Sequence, residues 1–96
     1  MARDRTKLNE GEVQAFVQSH AGWALAGGML KKTYGFADFR AAMAFVNRVA
    51  DAAEAADHHP DIDIRYNNVT LALQTHDAGG LTARDTALAA QVERFA

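Results

Sequence analysis

Glu54-Ala55-Ala56-Asp57-His58-His59-Pro60-Asp61-Ile62-Asp63-Ile64-Arg65-Tyr66-Asn67-Asn68-Val69-Thr70-Leu71-Ala72-Leu73-Gln74-Thr75-His76 is the stretch from which the fold is read. It holds three of the chain's four histidines. Its first residues close an amphipathic pattern that runs from Asp38 to Asp57 and predicts one helix. Pro60 stops that helix, because it lacks an N–H and disfavours helical geometry in the residue before it. Beyond Pro60 the period changes to two. Ile62, Ile64 and Tyr66 alternate with Asp61, Asp63 and Arg65, then Val69, Leu71 and Leu73 alternate with Thr70, Ala72 and Gln74. Asn67-Asn68 is read as the turn, since Asn tolerates positive φ. That turn pairs Tyr66 with Val69, Ile64 with Leu71 and Ile62 with Leu73. Continued through Pro60, the register sets His59 opposite a strand-borne His76, with Cβ atoms roughly 5 Å apart. Two imidazoles at that spacing are placed to share one small ligand.

Working outward, Asp38 caps the central helix. Phe39, Met43, Val46, Ala50 and Ala53 form its expected apolar stripe, widened by Ala42, Phe45 and Val49. Alanines at 41, 42, 44, 50, 52 and 53 favour helix and permit close packing. Towards the N-terminus, Leu8-Asn9-Glu10-Gly11-Glu12-Val13 reads as a helix start: Asn9 caps, Glu12 completes a capping box and Leu8 staples to Val13. Val13, Phe16 and Val17 are its buried side, and His20 lies near its end. Trp23 to Phe36 is a hairpin folded at Gly27-Gly28 with Leu25 opposite Leu30. Trp23, Tyr34 and Phe36 are read as core residues. After Gly79-Gly80 a last helix starts at Thr82 with Asp85 as the acid of its first turn, and Leu88, Val92 and Phe95 face inward.

The order is therefore α-β-β-α-β-β-α. The expected fold class is α+β, one four-stranded antiparallel sheet with three helices packed on one face. The other face is expected to carry Thr70, Ala72, Gln74 and His76, open to a ligand or partner. Residues 1–7 are expected to be a flexible N-terminal arm, and residues 8–96 a single domain.

Bulk composition excludes several classes of function. With 96 residues, one domain is expected, large enough for a core of its own, with self-association as a way to bury more surface. The chain has no cysteine, which removes disulfides, thiolate catalysis and Cys-based zinc sites. A net charge of −2 gives no reason to expect direct nucleic-acid binding. No apolar run is long enough to span a bilayer, and residues 1–7 lack the apolar centre of a signal peptide. A cytoplasmic setting is the expectation.

Histidine both gives and takes a proton near neutral pH. His58 is expected at the C-terminal end of the central helix, whose dipole favours a cation there. Glu54, one turn earlier, and the adjacent Asp57 are the carboxylates expected to orient the rings. A three-histidine zinc site is disfavoured: neighbouring residues rarely aim two rings at one ion, and the His-Glu-x-x-His pattern is missing. No metal and no cofactor is expected. A nucleophilic site is weaker still, since Thr75 has no elbow around it. The residues by themselves lead to a small α+β protein with a clustered histidine acid/base site.

Glu54-x-x-x-His58-His59-Pro60, then Tyr66, His76 and Asp85, resembles the signature of the pterin-4a-carbinolamine dehydratases. Gly22-Trp23, Phe36-x-Asp38-Phe39, Phe45, Val49, Thr75-His76 and Gly80-Leu81-Thr82-x-x-Asp85 extend the likeness over nearly the whole chain from Leu8 on. The resemblance implies an α+β domain that forms a homodimer or homotetramer. It implies dehydration of a 4a-hydroxytetrahydropterin to the quinonoid dihydropterin, which a reductase recycles after aromatic amino-acid hydroxylation. His58, His59 and His76 are then the catalytic residues, with Glu54, Asp57, Pro60, Gln74, Thr75 and Asp77 about the pterin. Ile62 stands where the family often has an aromatic residue, and Gln74 replaces a small hydroxyl residue, so the pterin side chain accepted is left open. The alternative it implies is a non-enzymatic protein-binding module, a cofactor of transcription-factor dimerisation, using the Ala-rich face of the central helix.

Overall fold

In the computed structural model, which describes residues 6–96, Asn9, Asp38 and Thr82 each start a helix. Asn9 and Glu12 form a reciprocal capping box at the head of α1 (Glu10–Ser19), each bond 2.8 Å long. Asp38 accepts the Ala41 N–H to open α2 (Phe39–Ala56). Thr82 opens α3 (Ala83–Val92). Such caps satisfy N–H groups that have no partner within the helix. Gly27 and Gly28, both at positive φ, turn β1 (Ala24–Ala26) into β2 (Met29–Gly35), with Leu25 opposite Leu30. Then β3 (Asp61–Arg65) and β4 (Asn68–Leu73) form the second hairpin. The order α-β-β-α-β-β-α holds, and the antiparallel sheet runs β1-β2-β4-β3.

All three helices lie on one face and share a single core. Leu30, Val69, Leu71 and Leu73 from the sheet meet Ala42, Phe45 and Val49 of α2, Leu88, Ala89 and Val92 of α3, and Val13 of α1. Phe45 lies 4.8 Å from the Tyr34 ring and 5.0 Å from the Phe36 ring. At this depth a Phe truncation costs about 4 kcal/mol. The opposite face carries Lys31, Asp61, Asp63, Thr70 and Ala72 around a shallow depression, where the Thr33 and Thr70 hydroxyls meet at 2.8 Å.

Three expectations need correction. The β3–β4 turn is Tyr66-Asn67, and the pairs are Ile64 with Val69 and Ile62 with Leu71. Asn67 is tied on both sides to Phe36, through its side-chain amide (2.7 Å) and its carbonyl (2.9 Å), while Tyr66 takes a φ of 54°. The shift is two residues, so each side chain keeps its face. On α2, the buried line is Ala42, Phe45, Val49, Ala52 and Ala53; Phe39 is 50% exposed and Ala50 is exposed. Strand β4 ends at Leu73, and His76 begins a 3-10 turn (His76–Ala78), so neither Gln74 nor His76 continues the open sheet face.

At the other end of the molecule, the 3-10 turn Glu93–Phe95 closes the chain against β2. Glu93 Oε2 accepts hydrogen bonds from Trp23 Nε1 (3.1 Å), Lys32 Nζ (2.8 Å) and the Tyr34 hydroxyl. Burial opposes ionisation of Glu93, but those donors outweigh it and hold its pKa below the usual carboxylate value. Burial, reinforced by the Glu93 charge, pushes the Tyr34 phenol far above its ordinary value. Of the expected N-terminal arm, residues 1–5 lie outside the described residues. Lys7 already bridges to Thr82, and the Leu8 N–H bonds the Leu81 carbonyl at 2.8 Å.

Candidate active site

Helix α2 ends at Asp57, whose φ of 50° is left-handed. The Asp57 N–H reaches the Glu54 carbonyl and the His58 N–H reaches the Ala53 carbonyl at 3.0 Å. These are the two bonds of a Schellman stop, with Asp in the place glycine usually takes. The reversal swings His58 inward, where it is buried, and leaves His59 outside at 55% side-chain exposure. On the facing side, Thr75 and Gly80 bridge across a tight loop, with Gly79 at positive φ. That loop presents His76 and Asp77.

The two reversals bring His58, His59 and His76 to one cavity of about 330 Å³, completed by Asp57, Gln74, Thr75, Asp77 and Arg84. The route differs from the expected one. Strand pairing stops at Asp61 with Ala72, so no β register carries His59 to His76. Two tight turns at the same edge of the sheet bring them together instead. Among the described residues, Pro60 and Glu54 do not line the cavity.

Each imidazole has different surroundings. His58 Nε2 lies 2.5 Å from Asp85 Oδ1, and Asp85 is fully buried. A carboxylate only accepts, so Nε2 carries the proton and Nδ1 is the nitrogen left for chemistry. Asp85 Oδ2 also accepts the Thr75 hydroxyl (2.7 Å) and the Thr82 N–H (2.9 Å). With its hydrogen committed to Asp85, Thr75 accepts from the Thr82 hydroxyl at 2.9 Å, which in turn accepts the Arg84 N–H at 3.2 Å. Such a chain of bonds is mutually polarising, and costly to interrupt when buried. His59 Nε2 is held by Glu54 at 2.6 Å, an exposed pair that orients the ring but adds little stability. His76 is exposed, and its ring has no hydrogen-bond partner among the described residues.

The expected carboxylates are therefore redistributed. Glu54 serves His59 rather than His58. The group that holds His58 is Asp85 rather than its neighbour Asp57. In sequence Asp85 was visible as the acid of a helix cap and as one of the residues that carry the family resemblance, but nothing in the spacing tied it to His58 across 27 residues. The place of Arg84 in the cavity wall carried no sequence signal at all.

A family model described as pterin 4 alpha carbinolamine dehydratase matches residues 6–95. The chain belongs to this family. Pterin-4-alpha-carbinolamine dehydratases are hydro-lyases. A relative from Thermomicrobium roseum that carries the family's name is 52% identical over 90 residues, 94% of this chain and 97% of its own. One from Chloroflexus aurantiacus is 53% identical over 93% of this chain and 96% of its own. A Brucella melitensis crystal structure, described as a transcriptional coactivator/pterin dehydratase, superposes with a TM-score of 0.91. It is 30% identical and covers 95% of this chain and 99% of its own. A pterin dehydratase-like protein described as a RuBisCO assembly factor of the alpha-carboxysome superposes with a TM-score of 0.67 at 26% identity, over 79% of this chain and 90% of its own. The dehydratase fold thus also occurs in a protein described by an assembly role.

Proposed function

We propose that this family member dehydrates a 4a-hydroxytetrahydropterin to the quinonoid dihydropterin by histidine general acid/base catalysis, as a step of tetrahydropterin recycling. The observation that carries the reading is the meeting of three imidazoles in unlike surroundings at one cavity. The reaction needs one proton delivered and one removed. An imidazolium protonates the 4a-hydroxyl, the C4a–O bond breaks and water leaves. The N5 lone pair forms the C4a=N5 double bond, and the N5 proton passes to a neutral imidazole. Atoms and charge balance without an oxidant. General acid/base help of this kind contributes about 10²–10⁴-fold.

His58, His59 and His76 carry these proton transfers in this reading. Asp57, Gln74, Thr75 and Asp77 meet the pterin from the cavity wall, while Glu54 and Pro60 act from behind it by setting the His59 ring and the chain exit. Asp85 positions His58. The test is a stopped-flow assay following decay of freshly generated 4a-carbinolamine. Acceleration by the wild type and a loss of about 10²–10⁴-fold in His76→Ala are expected. Decay no faster with the wild type than in buffer would sink the reading.

A second reading, a non-enzymatic protein-binding module, is favoured by the α2 surface, where Phe39 is 50% exposed above the half-buried Met43 and Val46. The same stripe suits a homodimer or homotetramer of a cytoplasmic protein. Mass measurement of the purified protein at several concentrations separates these: a concentration-independent monomer with no dehydratase activity would favour the module.

A further inference from the structure

Arg84 is a cation in the first turn of α3, where the helix dipole favours an anion. Its backbone N–H meets the Thr82 hydroxyl, but its side chain leaves the helix and runs to the end of α2. There Nη2 donates to the Asp57 carbonyl at 2.6 Å. Asp57 is the left-handed residue that turns the chain into His58, a conformation disfavoured for residues other than glycine, though less so for Asp than for most. Asp57 and His58 are neighbours, as are Arg84 and Asp85. Two bonds therefore run in parallel between the same two segments: His58 to Asp85, and the Asp57 carbonyl to Arg84. One bond fixes the imidazole by its edge. The other fixes the peptide from which that imidazole is hung.

We propose that Arg84 is a positioning residue for His58: by gripping the Asp57 carbonyl it holds the strained α2 exit in the geometry that aims the His58 ring into the cavity. The catalytic part of this inference rests on the dehydratase reading; the positioning part does not. A guanidinium suits the task because it stays charged and its donors form a rigid fork. Without Arg84 the exit keeps its two backbone stop bonds and the ring keeps Asp85, but the Asp57–His58 peptide loses its tie to α3, and the ring's aim is set at one fewer point. Misplacement of a reacting group by about 1 Å costs up to roughly 10²-fold in rate.

The test uses the full chain with Arg84→Met and Arg84→Lys. With 4a-carbinolamine as substrate, Arg84→Met is expected to lower kcat about 10-fold with KM within about twofold. Arg84→Lys, one donor on a flexible stem, is expected to recover part of that loss, and it stands as the second variant should the Met protein fold poorly. In parallel, imidazole ¹H–¹⁵N spectra without substrate are expected to show the His58 Nε2–H resonance shifted or broadened in Arg84→Met, with His59 unchanged. An unchanged His58 resonance overturns the proposal, as does a loss confined to KM, which would make Arg84 a substrate contact. If the wild type itself shows no dehydratase activity, the functional reading fails, and the spectra alone still decide the positioning role.

Discussion

Among the described residues Asp85 and Glu93 each gather three donors, and Asp85 does so directly behind the histidine-lined cavity. Asp85 collects His58, Thr75 and the Thr82 N–H; Glu93 collects Trp23, Lys32 and Tyr34. The difference lies in the donors. Lys32 ends at Glu93 and the Ala21 carbonyl, while Trp23 and Tyr34 are themselves buried, so that cluster closes on itself and clamps the C-terminal turn to β2. His58 is itself a cavity-lining residue, so the Asp85 cluster reaches, through that imidazole, a wall that also holds His59 and His76. The same hydrogen-bonding pattern is a clasp in one place and the back of a candidate active site in the other.

The largest expected effects break that contrast by chemistry. His58→Ala and His76→Ala are expected to lose about 10²–10⁴-fold in carbinolamine turnover, and Glu93→Gln to keep wild-type turnover, all in one stopped-flow series. A matching loss in Glu93→Gln would mean that the two clusters are coupled.

Asp85→Ala comes next. It strands a buried imidazole, a hydroxyl and a backbone N–H, so a stability loss of about 3–4 kcal/mol is expected in urea titrations, together with lost turnover. Glu93→Gln keeps an acceptor at a partly exposed site and is expected to cost about 1 kcal/mol in the same titrations. Equal losses for the two variants would erase the distinction between the fully buried Asp85 and the partly exposed Glu93.

The gentlest probe is pH. The Glu93 pKa is lowered on folding, so its contribution is present above its ordinary value of 4.5 and is lost as pH falls through the folded value. The Tyr34 pKa is raised, so the folded state loses stability relative to the unfolded chain as pH climbs past the ordinary 10.0. Thermal melts are expected to be flattest between those limits. Glu93→Gln is expected to blunt the acid limb, and Tyr34→Phe to remove that residue's share of the alkaline one. A wild-type Tm that stays level down through acid pH would contradict the role given to Glu93.

Local physics made much of this chain legible from its residues. The Asn9–Glu12 box, the Asp38 and Thr82 caps, the Gly27-Gly28 turn and the alternation along β3 and β4 each act within a few residues, so reading them needed no partner. The β3–β4 register was missed by two residues because the deciding contact is Asn67 with Phe36, 31 positions away. The α2 stripe was misassigned for a related reason. Apolar periodicity reveals a wide face, but the sheet decided that Phe45 and Val49, rather than Phe39 and Ala50, lie at its centre.

By itself the sequence determined the element order, the helix ends and the three histidines worth following, because caps, turns and periodicity are short-range properties of the chain. Only the tertiary structure decided that Asp85 stands behind His58, that Arg84 grips the helix exit, and that His76 reaches the cavity on a turn rather than a strand. Those pairings join segments far apart in the chain, and their energies exist only once the core has brought the segments together.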